Sequence, residues 1–442
     1  MGRSITAVRG SGRTQADRCP GVLAVHEAAD GGLARVRLPG GVLSAEQLAG
    51  LAAASAELGD GKLELTSRGN IQIRALRPGA PQELSDRLYA VGLLQSITHE
   101  RVRNILASPL SGLDSHSLYD VLPAAAELDR LLCARPELAE LPGRFLFALD
   151  DGRGDLADVG ADVAIQVVPW LAGGGARLAL GGVSPGVTIA VADIPAVMVA
   201  AAEAFLAERA ARGSEAWRVA ELEDGPARIL ARLGLPVARG SQSAGLAGEL
   251  TRGSGRPDAG WHEQSDGRGA LVVTVPLGSL GQEQAAALVE VAERAEGAGL
   301  ELGQIRVTPW RSVVLAGLAG GESVAVERLE AVGLVVQPDS PWNGVTACAG
   351  RPGCAKALAD VRADARLVTP GMLGMPGMPG GRRGGSGDQQ PLAVHWSGCE
   401  RRCGRPPGEF VDVVAVSNGY SIDGAPAVED AGPVVARRMR VQ

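Results

Sequence analysis

The first legible pattern begins just past Gly31. Between Leu33 and Leu38, apolar Ala34, Val36 and Leu38 alternate with Arg35 and Arg37, the period of two expected of a strand with one buried face. The strand runs into Pro39-Gly40-Gly41. A helix is predicted from Ser44, where Ser44 and Gln47 have capping-box spacing, to an end near Gly59. Alternation returns from Leu63 to Leu76: Leu63, Leu65, Ile71 and Ile73 point one way, and Glu64, Thr66, Arg68, Asn70, Gln72 and Arg74 the other. A helix between two strands predicts a right-handed crossover, so both strands are expected to lie parallel in one sheet, with Arg35 and Arg37 joining the second strand's polar face.

The unit recurs. Asp266 to Pro276 answers Asp30 to Pro39, Gln282 to Glu296 repeats the helix, and Ile305 to Leu318 answers Leu63 to Leu76. With Thr308 laid on Thr66, Val314 and Ala316 stand where the first copy has Gln72 and Arg74. This is a two-fold duplication in which the first copy kept the polar face. A longer mixed segment follows each copy. The expected organisation is a disordered leader at 1–18, the first copy at 19–90, an α/β domain at 91–245, the second copy at 255–322 and another α/β domain at 335–442. Within the last, residues 370–391 are Gly, Met and Pro without a period and read as a flexible surface loop. The most apolar stretch, Val187 to Ala207, is broken by Asp193 and Glu203 and reads as strand plus helix, so no membrane span is expected.

Composition narrows the function. Net charge is −7, from 43 basic and 50 acidic residues, and aromatic residues are 3%, which disfavours nucleic acid as a partner. All the basic residues except Lys62 and Lys356 are arginine, a supply of forked donors suited to carboxylates. The stretch from Met1 to Pro20 carries no apolar core of an export signal, so a reducing, cytoplasmic compartment is expected, where paired cysteines favour metals over disulfides.

Four of the six cysteines form two pairs in glycine-rich turns after apolar runs: Cys348 with Cys354, and Cys399 with Cys403. Four thiolates from two loops can hold a [4Fe–4S] cluster or a zinc ion. Five residues separate the first pair, beyond the two to four usual in zinc sites, and the glycines let the backbone wrap a bulky cubane. Cys19 and Cys133 read as plain thiols. Arg35, Arg37, Arg68, Asn70, Gln72 and Arg74, followed by Arg101, Arg103, Asn104 and Arg144, would suit a ligand bearing several carboxylates.

RVRLPGG (35–41), ELTSRGNIQIRAL (64–76), VRNILASP (102–109) and the cysteine pairs resemble the sulfite/nitrite reductase superfamily. CPG at Cys19, LPGRFLFALDDG with GADV after it, TPWRSVVL, TACAGRPGC and HWSGCERRCGRP are similar to its precorrin-3B synthase branch. The resemblance implies an α+β fold of duplicated ferredoxin-like half-domains plus two larger α/β segments, the second carrying a [4Fe–4S] cluster on Cys348, Cys354, Cys399 and Cys403. It implies dioxygen-dependent hydroxylation of precorrin-3A at C20, with the ring-A acetate closing to a lactone, in cobalamin biosynthesis.

Arg37 and Arg103 match arginines that contact the substrate anion in sulfite reductases, and Arg144 matches a lysine of the same set; these three are the expected catalytic residues. Arg68 and Gln72 match contacts to tetrapyrrole carboxylates, and Arg35, Asn70, Arg74 and Asn104 are expected to join them in binding substrate. Where the superfamily has Lys-Phe-Lys, this chain has Arg144-Phe145-Leu146. The lost cation argues against the alternative, a sirohaem-dependent sulfite or nitrite reductase.

A mononuclear non-haem iron is also implied, but His26, His99, His116, His262 and His395 show no ligand spacing for it. Electrons would come from reduced pyridine nucleotide through a reductase or ferredoxin-like protein. Gly152-Arg153-Gly154-Asp155-Leu156-Ala157 fits a dinucleotide fingerprint by letter only and is expected to be a decoy. The non-enzymatic reading is a zinc-stabilised scaffold.

Overall fold

The structure, a computed structural model, describes residues 17, 19–169, 174–235, 256–294, 305–372, 392–406, 408–426, 428, 431, 432, 434 and 435. The expected leader, apart from Asp17, and most of the expected loop at 370–391 lie outside the described residues. The chain divides into two compact units.

The larger unit takes Val22–Val36, Leu43–Gly92 and the described residues from Asp258 onward. Its first half-domain contains β1 (His26–Ala28), β2 (Gly31–Val36), β3 (Val42–Leu43), α1 (Ala45–Leu58), β4 (Leu63–Leu65), β5 (Ile71–Leu76) and α2 (Ala80–Ala90). α1 starts as its sequence predicts: Ser44 Oγ accepts from the Gln47 amide at 3.1 Å and Gln47 Oε1 accepts from the Ser44 amide at 3.0 Å. Leu63–Leu76, however, is not one strand. It reverses at Thr66–Asn70, where the Thr66 amide donates to the Asn70 carbonyl at 2.9 Å, so β4 and β5 form a hairpin. β2 therefore pairs with β5 antiparallel, Arg35 facing Gln72, and the expected parallel neighbours β2 and β4 lie on either side of β5. This is a split β-α-β arrangement. Arg37 lies beyond the end of β2 and falls in the other unit.

In the chain between the two copies, the elements are β6 (Ile105–Ala107), α3 (Leu122–Cys133), β7 (Phe147–Asp150), β8 (Val163–Val168), β9 (Gly175–Leu180), β10 (Thr188–Ala190), α4 (Ile194–Ala211) and α5 (Gly225–Arg232). They form the smaller unit, with Arg37–Val42 and the described residues up to Gly21. Its sheet runs β10-β9-β8-β7-β6, with β6, β7 and β8 parallel, so those strands are buried on both faces and apolar except for Asp150 and Gln166. Phe145 packs at 5.2 Å from Phe147 and 5.0 Å from Phe205 between sheet and helices. Val187–Ala207 resolves into β10 and the start of α4, and among the described residues no helix is long and apolar enough to cross a membrane.

The second half-domain, in the larger unit, repeats the first with β11 (Gly260–Glu263), β12 (Gly269–Thr274), β13 (Ser279–Leu280), α6 (Gln282–Glu293), β14 (Ile305–Val307), β15 (Ser312–Leu318) and α7 (Glu322–Glu330). Its sheet order, β11-β12-β15-β14-β3, mirrors β1-β2-β5-β4-β13 of the first, each sheet closed by a two-residue strand from the other copy. Gly281 replaces Ser44, so only half of the capping box survives: Gln284 Oε1 accepts from the Gly281 amide at 2.9 Å. The unit is completed by β16 (Val345–Ala347), α8 (Val361–Val368), β17 (Ala393–Ser397), β18 (Phe410–Val416) and β19 (Gly419–Ile422), a four-stranded sheet whose core includes Trp396 edge-on to Tyr420 at 5.2 Å.

Candidate redox site

β16 and β17 are adjacent and parallel, with Ala347 opposite Trp396. Their C-terminal ends therefore deliver both cysteine pairs to one edge of the sheet. The Cys348 amide extends the ladder by donating to the Trp396 carbonyl at 2.9 Å, and the Gly398 amide donates to Cys348 Sγ at 3.1 Å. Burial raises the Cys403 thiol above its usual range; Arg401 opposes this, and the sulfurs of Cys348, Cys399 and Cys354 each raise it further. All four thiols thus lie within electrostatic reach at one place.

Four thiolates around zinc would sit roughly 3.8 Å apart, from Zn–S bonds of about 2.3 Å. Among the described residues, no three cysteine sulfurs lie within 4.8 Å of one another. Four thiols from two glycine-rich loops, with the Gly398 amide as an N–H···S donor to Cys348, match the donor set of a cubane. The residues fit a [4Fe–4S] cluster.

Three guanidinium groups from three elements grip these loops by their carbonyls. Arg74 of β5 donates to Gly353 at 2.6 Å, Arg362 of α8 to Cys348 at 3.1 Å, and Arg311, in the turn before β15, to Gly404 at 3.1 Å. Two of the three are neutralised locally. Arg74 is held by Asp30 at 2.9 and 3.0 Å, and Arg362 is paired with buried Glu64. Arg311 has no carboxylate within 4 Å among the described residues. Burial and the nearby Arg362 charge lower it to about 10, with Glu64 acting the other way.

On the first half-domain's polar face, Arg35 Nε donates to Gln72 Oε1 at 3.0 Å, and Gln72 Nε2 to Glu64 Oε2 at 3.4 Å. Arg68 is half-buried in the β4–β5 turn, and Asn70 is buried, its amide donating to Thr66 Oγ1 at 3.1 Å. The structure thus brings Arg35, Gln72 and Arg74 together on one sheet, beside carboxylates of the chain itself. Glu64 and Asp30 were not singled out from the sequence. Arg311 was quoted in TPWRSVVL without a role. Its signal was the alignment of Thr308 on Thr66, which sets Arg311 against Gly69.

The smaller unit holds the other expected residues. Arg103 is buried, with Nε and Nη2 donating to Asp129 at 2.7 and 2.6 Å and Nη1 to the Leu93 carbonyl at 3.3 Å. Burial works against its charge and Asp129 more than offsets that. Asn104 Nδ2 donates to the Gly143 and Phe145 carbonyls at 2.9 and 3.2 Å, bracing the loop that carries Arg144. Arg144 is exposed, stacked 5.2 Å over Trp217. Arg37 is buried, with Nη2 donating to Cys19 Sγ and the Pro20 carbonyl, each at 3.3 Å, and Nε to the Arg101 carbonyl at 3.2 Å. Leu146 is buried and its amide donates to Asp162 at 2.9 Å.

The histidines near the motifs are engaged. His99 Nε2 bonds the Arg135 carbonyl at 2.9 Å. His395 Nε2 donates to the Cys403 carbonyl at 3.2 Å while Nδ1 accepts from Thr346 Oγ1 at 2.8 Å; burial, then the Arg311 charge, lowers its pKa to about 4. The fingerprint at Gly152 opens no helix, and Asp150 takes the amides of Gly152, Gly154 and Leu156 that a pyrophosphate would need. Beside it, Asp150, Asp151 and Asp155 form a buried acidic triad. Burial, reinforced by Asp150, raises Asp155 to about 8. With no histidine in the triad, and Asp151 already held by Arg153 at 2.9 Å, the triad does not fit a non-haem iron site of two histidines and a carboxylate.

Residues 26–91 match the nitrite/sulfite reductase ferredoxin-like half domain. The chain is 28% identical over 407 residues to a precorrin-3B synthase of Sinorhizobium sp, covering 91% of this chain and 82% of that protein. It is also 28% identical over 397 residues to a ferredoxin–nitrite reductase of Synechococcus elongatus, covering 85% and 74%. The NirA protein of Mycobacterium tuberculosis shares the fold, with a TM-score of 0.71 at 23% identity over 88% of this chain and 74% of that one. The chain therefore carries a nitrite/sulfite reductase ferredoxin-like half domain on an α+β fold like that of NirA, and over most of its length it resembles precorrin-3B synthase within the sulfite/nitrite reductase superfamily.

Proposed function

We propose that this chain is an iron–sulfur oxidoreductase that hydroxylates precorrin-3A at C20, with lactone formation, to give precorrin-3B. One oxygen atom of dioxygen enters the macrocycle and the other leaves as water, which consumes two electrons and two protons. A ferredoxin-like protein or a reductase fed by pyridine nucleotide delivers the electrons, in a reducing cytoplasm. A [4Fe–4S] cluster on Cys348, Cys354, Cys399 and Cys403 supplies single-electron transfer when bound.

The observation that favours this over sulfite or nitrite reduction is the pairing of Arg103 with Asp129, together with burial of Leu146. A small dianion would need several cations aimed at it, and one is committed to a carboxylate while another is replaced by an apolar side chain. A carboxylate-rimmed macrocycle needs instead guanidinium groups spread over a wider surface. Arg68, half-buried in the β4–β5 turn, is assigned to a substrate carboxylate. Arg35, Gln72 and Arg74 hold the sheet that presents Arg68, Asn70 braces the turn, and Arg37, Arg103 and Asn104 position the neighbouring loops. No step is assigned to a mononuclear iron, since the described residues do not offer a fitting ligand set.

The test is anaerobic reconstitution with iron and sulfide, followed by reduced ferredoxin, precorrin-3A and dioxygen. Gain of one oxygen atom by the macrocycle, seen by mass spectrometry, is the expected result. Sirohaem absorption with anaerobic sulfite or nitrite consumption would replace this reading with the reductase, and stoichiometric zinc without iron or sulfide would replace it with the scaffold.

A further inference from the structure

We propose that Arg311, the one of the three loop-gripping arginines without a carboxylate partner, favours the reduced form of the [4Fe–4S] cluster held by the cysteine loops. The inference rests on the cluster reading above and goes beyond it by assigning a residue that sets the cluster's redox balance.

Three observations converge on Arg311. Its guanidinium reaches the Gly404 carbonyl at 3.1 Å, next to Cys403 in sequence. Of the three guanidiniums gripping the cysteine loops, Arg74 and Arg362 are balanced by Asp30 and Glu64, which leaves Arg311 as the net positive charge of that set. Finally, its backbone occupies the left-handed region, at φ 61°, where the equivalent turn of the first copy has Gly69 at φ 60°. Both turns close alike: the Gly69 amide donates to the Thr66 carbonyl at 3.2 Å and the Arg311 amide to the Thr308 carbonyl at 3.3 Å. That conformation strains a residue with a side chain and leaves glycine free. The second copy accepts the cost, and a cation stands where the first copy has no side chain.

Reduction adds one electron to a cluster that its four thiolates already make anionic, so a fixed positive charge beside it stabilises the reduced state more than the oxidised one.

The experiment is an anaerobic dithionite titration of the reconstituted full chain, followed by visible absorbance and electron paramagnetic resonance, for wild type, Arg311→Gln and Arg311→Lys. In Arg311→Gln the reduced-to-oxidised ratio at a fixed potential is expected to fall roughly tenfold, a shift of about 59 mV for a one-electron couple. Arg311→Lys is expected to stay near wild type. Loss of the cluster in Arg311→Gln but not in Arg311→Lys would also support a charge role. An unchanged potential in Arg311→Gln, an equal shift in both variants, or equal loss of the cluster from both would overturn it. A wild-type chain that takes up no iron and sulfide would instead overturn the cluster reading, and this inference with it.

Discussion

Arg74, on β5 of the first half-domain, donates to the carbonyl of Gly353, 279 residues later, at 2.6 Å. Asp30 holds the same guanidinium from its other side. A Cβ on Gly353 would lie 2.9 Å from Arg74 Nη2 and 3.0 Å from Asp30 Oδ2, so a side chain there would push against the ends of this ion pair. Asp30→Ala is expected to strand a buried cation and cost about 3 kcal/mol, read as a lower denaturant midpoint. It should also loosen the first cysteine loop, measured as faster loss of iron to a chelator.

The four loop cysteines act as one set. Serine at Cys348, Cys354, Cys399 or Cys403 is expected to abolish the cluster's visible absorbance and turnover together. Cys19→Ser and Cys133→Ser should keep both. Burial pushes the Cys133 thiol up to about 11, so it should also alkylate slowly at neutral pH. Retained absorbance in two of the four serine variants would sink the shared-cluster reading.

Substrate binding should separate positioning arginines from contacting ones. Arg68→Ala is expected to weaken precorrin-3A binding by about 1.5–3 kcal/mol, the worth of one charged hydrogen bond, without changing the melting temperature. Asp129→Ala is expected to act mainly through the fold, costing about 3–5 kcal/mol because buried Arg103 loses its counter-ion. Calorimetric binding and thermal melts on both variants decide the assignment.

The acidic triad makes stability depend on pH. Asp155 binds its proton more tightly in the folded state, up to about 8, than the ordinary carboxyl value of 3.8. Its contribution is fully present below that ordinary value and is lost as pH rises through 8, at about 1.4 kcal/mol per unit of displacement. Wild type should therefore melt at falling temperature from about pH 4 to 8 and level off above that, and Asp155→Asn should flatten that slope. An identical slope in the variant would show that the triad does not govern it.

Local patterns carried much of this architecture. The Ser44–Gln47 box needs only neighbours in sequence, and it formed where its spacing put it. The repeat was legible because both copies bury the same apolar positions. The reversal at Thr66–Asn70 was missed although Ser67, Gly69 and Asn70 mark a turn, because Leu63, Leu65, Ile71 and Ile73 keep one phase of a period of two on either side of it. The difference mattered: it put β5 beside β2 and set Arg35 against Gln72.

The chain's own residues determined which chemistry was available: four cysteines in two glycine-rich turns, a duplicated strand–helix framework and cations that are nearly all arginine. Only the tertiary structure decided which of those cations were already neutralised. Asp30 lies 44 residues from Arg74, and Asp129 lies 26 from Arg103. Glu64 is 298 residues from Arg362. Pairing at such separations follows from packing, since charges meet where buried strands and helices carry them, and no local period records it.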